Sequence, residues 1–180
     1  SSSAYTLVTS MFMHGGWMHI IGNLWFLWVF GNNVEDSMGH WRFAVFYLVC
    51  GLAAALAQVL AGPDSPLPMV GASGAIGGVM GAYVVLYPRV RVHLLIFLGF
   101  FITTVAVPAV FMLGYWFVLQ LIGGVGAGGA GGGGTAFWAH IGGFVAGAGL
   151  IFLFKDPQLV ESHPYYGLRQ SPARTWRRIP

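Results

Sequence analysis

Two segments of the chain each place one reactive side chain at the head of an apolar helix that is striped with small residues. Val70–Tyr83 (VGASGAIGGVMGAY) carries Ser73, and Ala139–Leu150 (AHIGGFVAGAGL) carries His140. Faces of small residues let membrane helices approach until their backbones nearly touch. If these two faces pack together, a hydroxyl meets an imidazole, which is the pairing of a nucleophile with its general base. The glycines that share these faces at helical spacing are Gly77, Gly81, Gly143 and Gly147.

Three further polar residues lie in the motif HGGWMHIIGN, and these are His14, His19 and Asn23. We predict a helix from about Trp17 to Val34, on which His19 and Asn23 share one face because they are four residues apart. Polar side chains in a segment that otherwise belongs in lipid indicate a functional site. Together with Gly71 and the backbone N–H groups at the head of the serine helix, they are candidates for supporting an oxyanion.

No acidic residue joins this polar set. Four of the five acids map to the opposite side of the membrane, and Asp64 lies in a Pro-rich loop that we interpret as a lid. We therefore expect a pair of residues without a carboxylate, in which His140 takes the Ser73 proton and later gives it to the leaving amine. A metal site formed by the three histidines named above is the competing hypothesis, but it leaves Ser73 and Asn23 without a role. The prediction is no metal and no cofactor.

The composition determines the class of protein. Of 180 residues, 57% are hydrophobic and 7% are charged, which is far too apolar for a soluble domain. We predict an all-α, polytopic transmembrane bundle over residues 1–154 and a basic, flexible cytoplasmic tail over residues 155–180. Membrane lipid is the expected partner of the tail, and a nucleic-acid role is not expected. The single cysteine, Cys50, excludes a disulfide within the chain.

The serine helix is too short to cross the whole bilayer. Pro88 and Arg89 stop it after 15 residues, or about 22 Å, whereas the hydrocarbon core is ~30 Å thick. Ser73 is therefore expected several ångströms inside the membrane boundary, and His140 lies about 6 Å down its own helix. The five predicted spans are about Trp17–Val34, Phe43–Ala61, Ser73–Tyr87, Ala109–Ile122 and Ala136–Phe154.

One segment, Val92–Val107, is long and apolar enough to be a sixth span. If it does not cross, all eight Lys and Arg residues fall on one side of the membrane, as the positive-inside rule favours. If it crosses, Ser73 and His140 lie at opposite faces. We therefore interpret it as an interfacial or re-entrant hairpin, with the site open to the non-cytoplasmic side. The low-complexity segment Gly123–Thr135 is predicted to be a flexible connection on that side.

In combination and in this order, HGGWMHIIGN, GASGAIGG and AHIGGFVAG resemble the motifs of the rhomboid intramembrane serine proteases, over nearly the whole chain up to Phe154. The resemblance implies that Ser73 is the nucleophile and His140 its base. It implies that His19 and Asn23 lie on the oxyanion side and that His14 is a structural histidine preceding them. The usual first transmembrane helix of the family, and most of the loop with its Trp-Arg motif, have no counterpart here, so five spans are expected instead of six.

The resemblance further implies hydrolysis of a peptide bond in or beside the transmembrane segment of another membrane protein. The expected location is a prokaryotic inner membrane, and we make no prediction of the oligomeric state. A non-proteolytic rhomboid-like protein that binds or escorts membrane clients is the alternative, although loss of Ser or His would be its signature and both are present. A small transporter would carry an inverted repeat, and the sequence shows none.

Overall fold

The computed structural model describes residues 5–63, 71–126 and 135–165, which are mostly helical. The predicted helical membrane bundle is confirmed, and its helices begin and end close to the predicted residues. In chain order the elements are α1 (Tyr5–Thr9), a 3-10 turn (Ser10–Phe12), α2 (Trp17–Phe26), a π-helical turn (Leu27–Gly31), α3 (Asn32–Asp36), α4 (His40–Ala61), α5 (Ser73–Leu86), β1 (Arg91–Leu98), β2 (Phe101–Pro108), α6 (Ala109–Gly126), α7 (Phe137–Phe154) and α8 (Pro157–Ser162).

Three of these helices, α4, α6 and α7, are long and apolar enough to span a membrane, judged by length and composition. The other two predicted spans have a different form. The helix α5 has 14 residues, and the first predicted span is made of α2, a π-helical turn and α3. A π-helical turn inserts one extra residue into the helical repeat, which the apolar pattern of this segment does not reveal. That these two segments also cross stays a prediction.

The helix α5 is the centre of the bundle. Eleven of its 14 residues are buried, which is far more than in any of the three long spans. Its C-terminal half contributes Val79, Met80, Tyr83 and Leu86 to the main apolar core, where they lie with Phe30 from the π-helical turn. A helix that is apolar on all sides is suited to the interior of a bundle, and here neighbouring helices cover most of α5.

The helices α5 and α7 approach each other so closely that their backbone atoms are in contact. A Cβ added to Gly77 would lie 3.0 Å from the carbonyl oxygen of His140, and one added to Gly81 would overlap the carbonyl oxygen of Phe144. On the other helix, a Cβ on Gly143 or Gly147 would overlap the carbonyl oxygens of Gly74 and Gly78. The small residues of α7 therefore also lie against a second stripe of α5, Gly74 and Gly78, one position along from Ser73 and Gly77.

The segment between α5 and α6 is an antiparallel β-hairpin. Strand β1 pairs with β2 from Arg91↔Pro108 to Leu98↔Phe101, and Gly99 turns the chain with a φ of 62°. Backbone bonds from Ala109 N to Val90 O (2.8 Å) and from Val110 N to Pro88 O (3.0 Å) fasten its base to the start of α6. This agrees with the interpretation of the segment as a hairpin, and the structure adds that it is made of β-strands.

The prediction that Gly123–Thr135 is a flexible connection is wrong for its first four residues. The helix α6 continues to Gly126, and aromatic rings at the start of α7 cover Gly123 and Gly124. A Cβ on Gly123 would collide with the ring of Phe137, and one on Gly124 would lie 3.2 Å from the ring of Trp138. Tertiary packing here overrides the low helix propensity of glycine. Residues 127–134 of this segment lie outside the described residues.

The end of the bundle where α4 and α6 begin and α5 and α7 end is called here the basic end, because Arg42, Arg89, Arg91 and Lys155 lie there. Most of the predicted tail is outside the described residues, but its start includes a helix, α8. The Asp156 side chain caps α8 by accepting from the backbone N–H of Gln158 at 2.9 Å. Asp156 also lies 3.6 Å from Arg42, so the start of α8 is bound to the start of α4.

Candidate active site

Ser73 is the first residue of α5, and the backbone immediately before it makes a sharp turn. Gly71 adopts a φ of 115°, a conformation that favours glycine, and its N–H donates to the carbonyl oxygen of Ser10 at 2.9 Å. The turn delivers the chain into a helix at Ser73, so the side chain stands at the helix N-terminus, where backbone N–H groups are unpaired. Ser73 is half-buried.

His140 lies in the first turn of α7 and faces Ser73. Its Nε2 is 2.8 Å from Ser73 Oγ, and its Nδ1 is 2.8 Å from Oε1 of Gln120. Because the amide oxygen can only accept, Nδ1 carries the hydrogen and Nε2 keeps a lone pair for the serine hydroxyl. The three side chains thus form a continuous hydrogen-bonded chain from Ser73 through His140 to Gln120.

Gln120 is the site residue that sequence reasoning missed. It lies on α6 and is buried, with 9% of its surface exposed. The only signal in the sequence is that Gln120 is the one side-chain amide in the apolar run of α6. One turn earlier on the same helix, the ring of Trp116 packs on the His140 ring with their centroids 5.7 Å apart.

The structure brings His19 and Asn23 together beside Gly71, two residues before Ser73. A Cβ on Gly71 would lie 2.7 Å from His19 Cε1 and 3.6 Å from Asn23 Nδ2, so both side chains lie directly against the turn. The Gly15 N–H lies 3.4 Å from His19 Nδ1. The buried Nδ2 of Asn23 has no hydrogen-bond partner within the described part of the chain.

His14 packs edge-on against His19, with ring centroids 5.2 Å apart. Its buried Nε2, like the Asn23 amide, lacks a partner among the described residues. His14 and Asn23 also line a cavity of about 580 Å³ between α2 and α4. The apolar walls of this cavity include Met11, Leu24, Leu27, Tyr47 and Ile76. Two polar groups in an otherwise apolar cavity are typical of a site that orients a mainly apolar ligand.

Within the described ranges, no group of three His, Cys, Asp or Glu side chains is placed to hold a metal ion. In the set of three histidines considered above, His140 is already engaged through both ring nitrogens. Of the acids, Glu35, Asp36 and Asp156 lie at the basic end, where they face His40, His163 and Arg42 respectively. Asp64 and the rest of the predicted lid, beyond Pro63, lie outside the described residues.

Comparison with known proteins gives one consistent result. The family model for the Rhomboid domain matches residues 1–157. The chain is 35% identical to Rhomboid protease GluP of Bacillus subtilis over 146 residues, which is 80% of this chain and 27% of that protein. It is 40% identical to the chloroplastic Rhomboid-like protein 11 of Arabidopsis thaliana over 74 residues, 41% of this chain and 26% of the relative. It is also 33% identical to Inactive rhomboid protein 1 of Drosophila melanogaster over 82 residues, 46% of this chain and 6% of that protein.

The chain spans about a quarter of the length of the first two of these relatives. Of the three relatives, one is named a protease and another is named inactive. The match to this family model and the three long apolar helices together identify the chain as an integral membrane protein.

Proposed function

Because the chain belongs to the rhomboid family, we propose that it is an intramembrane serine endopeptidase that hydrolyses peptide bonds in or near the transmembrane segments of other proteins. The observation that carries the proposal is the 2.8 Å contact between Ser73 Oγ and His140 Nε2 at the head of two closely packed membrane helices. Small-residue packing alone does not require a hydroxyl and an imidazole at the same depth. Nucleophilic catalysis by serine does require this arrangement, because the base must lie within hydrogen-bond reach of the hydroxyl.

In the proposed reaction, Ser73 Oγ attacks the carbonyl carbon of the scissile bond while its proton moves to His140 Nε2. His140 then donates that proton to the leaving amine nitrogen, the C–N bond breaks, and an acyl-serine remains. A water molecule next gives a proton to His140 and attacks the acyl carbon. The bond between that carbon and Ser73 Oγ then breaks, His140 returns the proton to Ser73 Oγ, and the carboxylic acid leaves. Two residues are enough for this cycle because His140 acts in turn as base and acid.

The proposed oxyanion side consists of Asn23, His19 and the backbone at Gly71. In support, the buried Asn23 amide nitrogen has no partner among the described residues, and Asn23 and His19 both lie against Gly71 in the turn that precedes Ser73. A buried donor without a partner is costly unless a ligand uses it. We assign His14 a structural role, because its ring packs on His19 and supports the orientation of that side chain.

Water and substrate are proposed to reach the site from the non-cytoplasmic side of a prokaryotic inner membrane. All Lys and Arg of the described ranges lie at the basic end, opposite Ser73, as the positive-inside rule favours for a cytoplasmic face. The 14 residues of α5 measure about 21 Å, so with its C-terminus at the membrane surface Ser73 lies below the opposite surface. A substrate helix must unwind there to expose a carbonyl, since helical carbonyls are already hydrogen-bonded.

The test is whether Ser73 is an activated nucleophile in the purified protein. We expect a serine-directed fluorophosphonate to label the protein and a model transmembrane substrate to be cleaved. Ser73→Ala should abolish both, and His140→Ala should lower both by at least about 100-fold while the protein stays folded. Substantial cleavage by purified Ser73→Ala protein would reject the assignment.

One similarity favours a second candidate function. A relative named an inactive rhomboid protein matches 46% of the chain, so the fold also serves proteins without protease activity. A non-proteolytic binder or escort of membrane clients would retain client binding in Ser73→Ala and give no fluorophosphonate label in the native protein. The same labelling experiment therefore separates the two candidates.

A further inference from the structure

We propose that Gln120 is a positioning residue that holds the His140 imidazole in the one tautomer able to activate Ser73. The inference rests on the proposed function and adds a third, uncharged member to the pair. A carboxylate usually takes this place in serine hydrolases, where it orients the histidine.

The geometry determines which ring nitrogen carries the hydrogen. Gln120 Oε1 lies 2.8 Å from His140 Nδ1, and an amide oxygen has lone pairs but no hydrogen. The opposite tautomer would set the Nδ1 lone pair against the amide oxygen and would place a hydrogen on Nε2, towards Ser73 Oγ. The Gln120 contact therefore favours the tautomer in which Nε2 accepts the serine proton.

Two side chains of α6 restrain the His140 imidazole. Gln120 fixes the position of the Nδ1 edge, and Trp116, one turn earlier, packs on the ring at an interplanar angle of 38°. An amide suits this place because it is neutral at every pH, whereas an ionised carboxylate inside a membrane bundle is costly unless it is paired. The side chain is buried, which limits the access of water to its oxygen.

Two nearly isosteric variants distinguish positioning from packing. Gln120→Leu keeps the volume and removes the acceptor, and we expect kcat to fall about 10- to 100-fold with KM nearly unchanged. Gln120→Glu keeps a carboxyl oxygen within reach of Nδ1, whether or not it is protonated, and should retain much more activity. A packing role predicts the reverse order, since leucine is the better residue in an apolar interior. Leu119→Ala, at the exposed neighbouring position, is the control and should match the native protein.

The tautomer can also be measured without activity. Nitrogen-15 shifts of the His140 ring, assigned by their loss in His140→Ala, should show a protonated Nδ1 in the native protein and a mixture in Gln120→Leu. Equal kcat for Gln120→Leu and the native protein, or an unchanged ring spectrum, would overturn the role of Gln120. Absence of fluorophosphonate labelling in the native protein would instead reject the proposed function, whatever the ring spectrum shows.

A separate observation concerns the β-hairpin, and from it we infer that the hairpin binds the headgroup–acyl boundary of the membrane at the basic end. The turn and the strand residues next to it are exposed and apolar: Phe97, Leu98, Phe100, Phe101 and Ile102. The two strands contain no charged residue beyond Arg91 at the base, with His93 the only other titratable group. Such a tip is not suited to water.

The backbone of the hairpin is equally unsuited to the hydrocarbon core of the membrane. A two-stranded sheet has two open edges, on which about half of the backbone N–H and C=O groups point outward without partners. Open edges are not found in contact with lipid chains because no water is available to them. Apolar side chains and unpaired backbone groups are both satisfied only at the interface, where Arg91 at the base can also meet anionic headgroups.

An interfacial hairpin would determine the depth of the active site. Only Tyr87, Pro88, Arg89 and Val90 separate α5 from β1, and backbone bonds tie this segment to α6. A hairpin held at the surface therefore holds the C-terminus of α5 there. The length of α5 then sets Ser73 about 21 Å above it.

The test uses Phe100→Cys in a Cys50→Ala background, labelled with an environment-sensitive fluorophore and reconstituted in vesicles that contain doxyl-labelled lipids. We expect stronger quenching by a doxyl group near the headgroup than by one near the chain end. Val118→Cys, half-way along α6 and exposed, is the control and should show the opposite order. Absence of quenching at position 100 would overturn the inference, since it would mean that the tip lies in water or is covered by a second copy of the chain. Stronger quenching by the doxyl group near the chain end, as expected for the control, would also overturn it.

Discussion

Replacing Gly147 by alanine should nearly abolish catalysis although the residue lies two turns below His140. The added Cβ would overlap the carbonyl oxygen of Gly78 on α5, and no side chain can move aside because its three nearest atoms all belong to the Gly78 backbone. Restoring an ordinary contact requires the two helices to separate by on the order of 1 Å. The hydrogen bond between Ser73 and His140, now 2.8 Å, joins the heads of these same helices. A displacement of that size exceeds the range of a hydrogen bond, and it is expected to lower the rate by about 100-fold.

The structure ranks three glycine variants for this experiment. Gly77→Ala should have an intermediate effect, because its Cβ would lie 3.0 Å from the His140 carbonyl oxygen and needs a shift of a few tenths of an ångström. Gly149→Ala, on α7 near Gly147, would place its Cβ more than 4 Å from every described atom outside the α7 backbone, so it should behave like the native protein. The assay is the rate of fluorophosphonate labelling and of substrate cleavage in vesicles, with thermal unfolding measured in parallel. Native turnover in Gly147→Ala would refute the close-packed helix pair as the basis of the site.

Three further predictions follow from other parts of the molecule. Asn23→Ala should lower kcat by about 100-fold with little change in KM, because an oxyanion donor acts mainly in the transition state; a loss confined to KM would contradict this role. In a cysteine-free background, His40→Cys, where the native side chain is exposed, should react with an impermeant thiol reagent only from the cytoplasmic side, and reaction from outside would invert the proposed topology. Burial lowers the pKa of His163, so protonation favours the unfolded state and stability should fall as pH drops below 6.5, the value for the free side chain. Thermal unfolding between pH 7 and pH 5 should show this fall in the native protein and a smaller one in His163→Phe.

The positions of the main helices could be predicted from the sequence because their signals are local. Pro88 ends the serine helix wherever its neighbours lie, and the structure has α5 end at Leu86, two residues earlier. Four-residue spacing of small residues likewise predicts a face for close packing without knowledge of the partner. The charge asymmetry argued against a crossing by the segment that the structure shows as the hairpin. Such a crossing would also have placed Ser73 and His140 at opposite faces of the membrane.

The features that escaped prediction depend on contacts between distant parts of the chain. Gly123 and Gly124 are helical because Phe137 and Trp138 cover them from the next helix, and a run of glycines carries no sign of that cover. The start of α8 is bound to α4 through Asp156 and Arg42, two residues far apart in sequence whose pairing has no local pattern. In both places the packing partner, and not the segment itself, decides the conformation.

Gln120 shows the same limit at the site itself. The third member of such a site is usually a carboxylate, since an ion stabilises the charged histidine that forms during catalysis. Inside a membrane bundle that stabilisation is offset by the cost of burying the ion, and a neutral amide performs the orienting half of the role without it. What an amide cannot do is stabilise the imidazolium by its own charge. A site built in this way therefore depends more on the position of the ring than on charge, which is why the backbone contacts of Gly147 and the oxygen of Gln120 should matter as much as any titratable group.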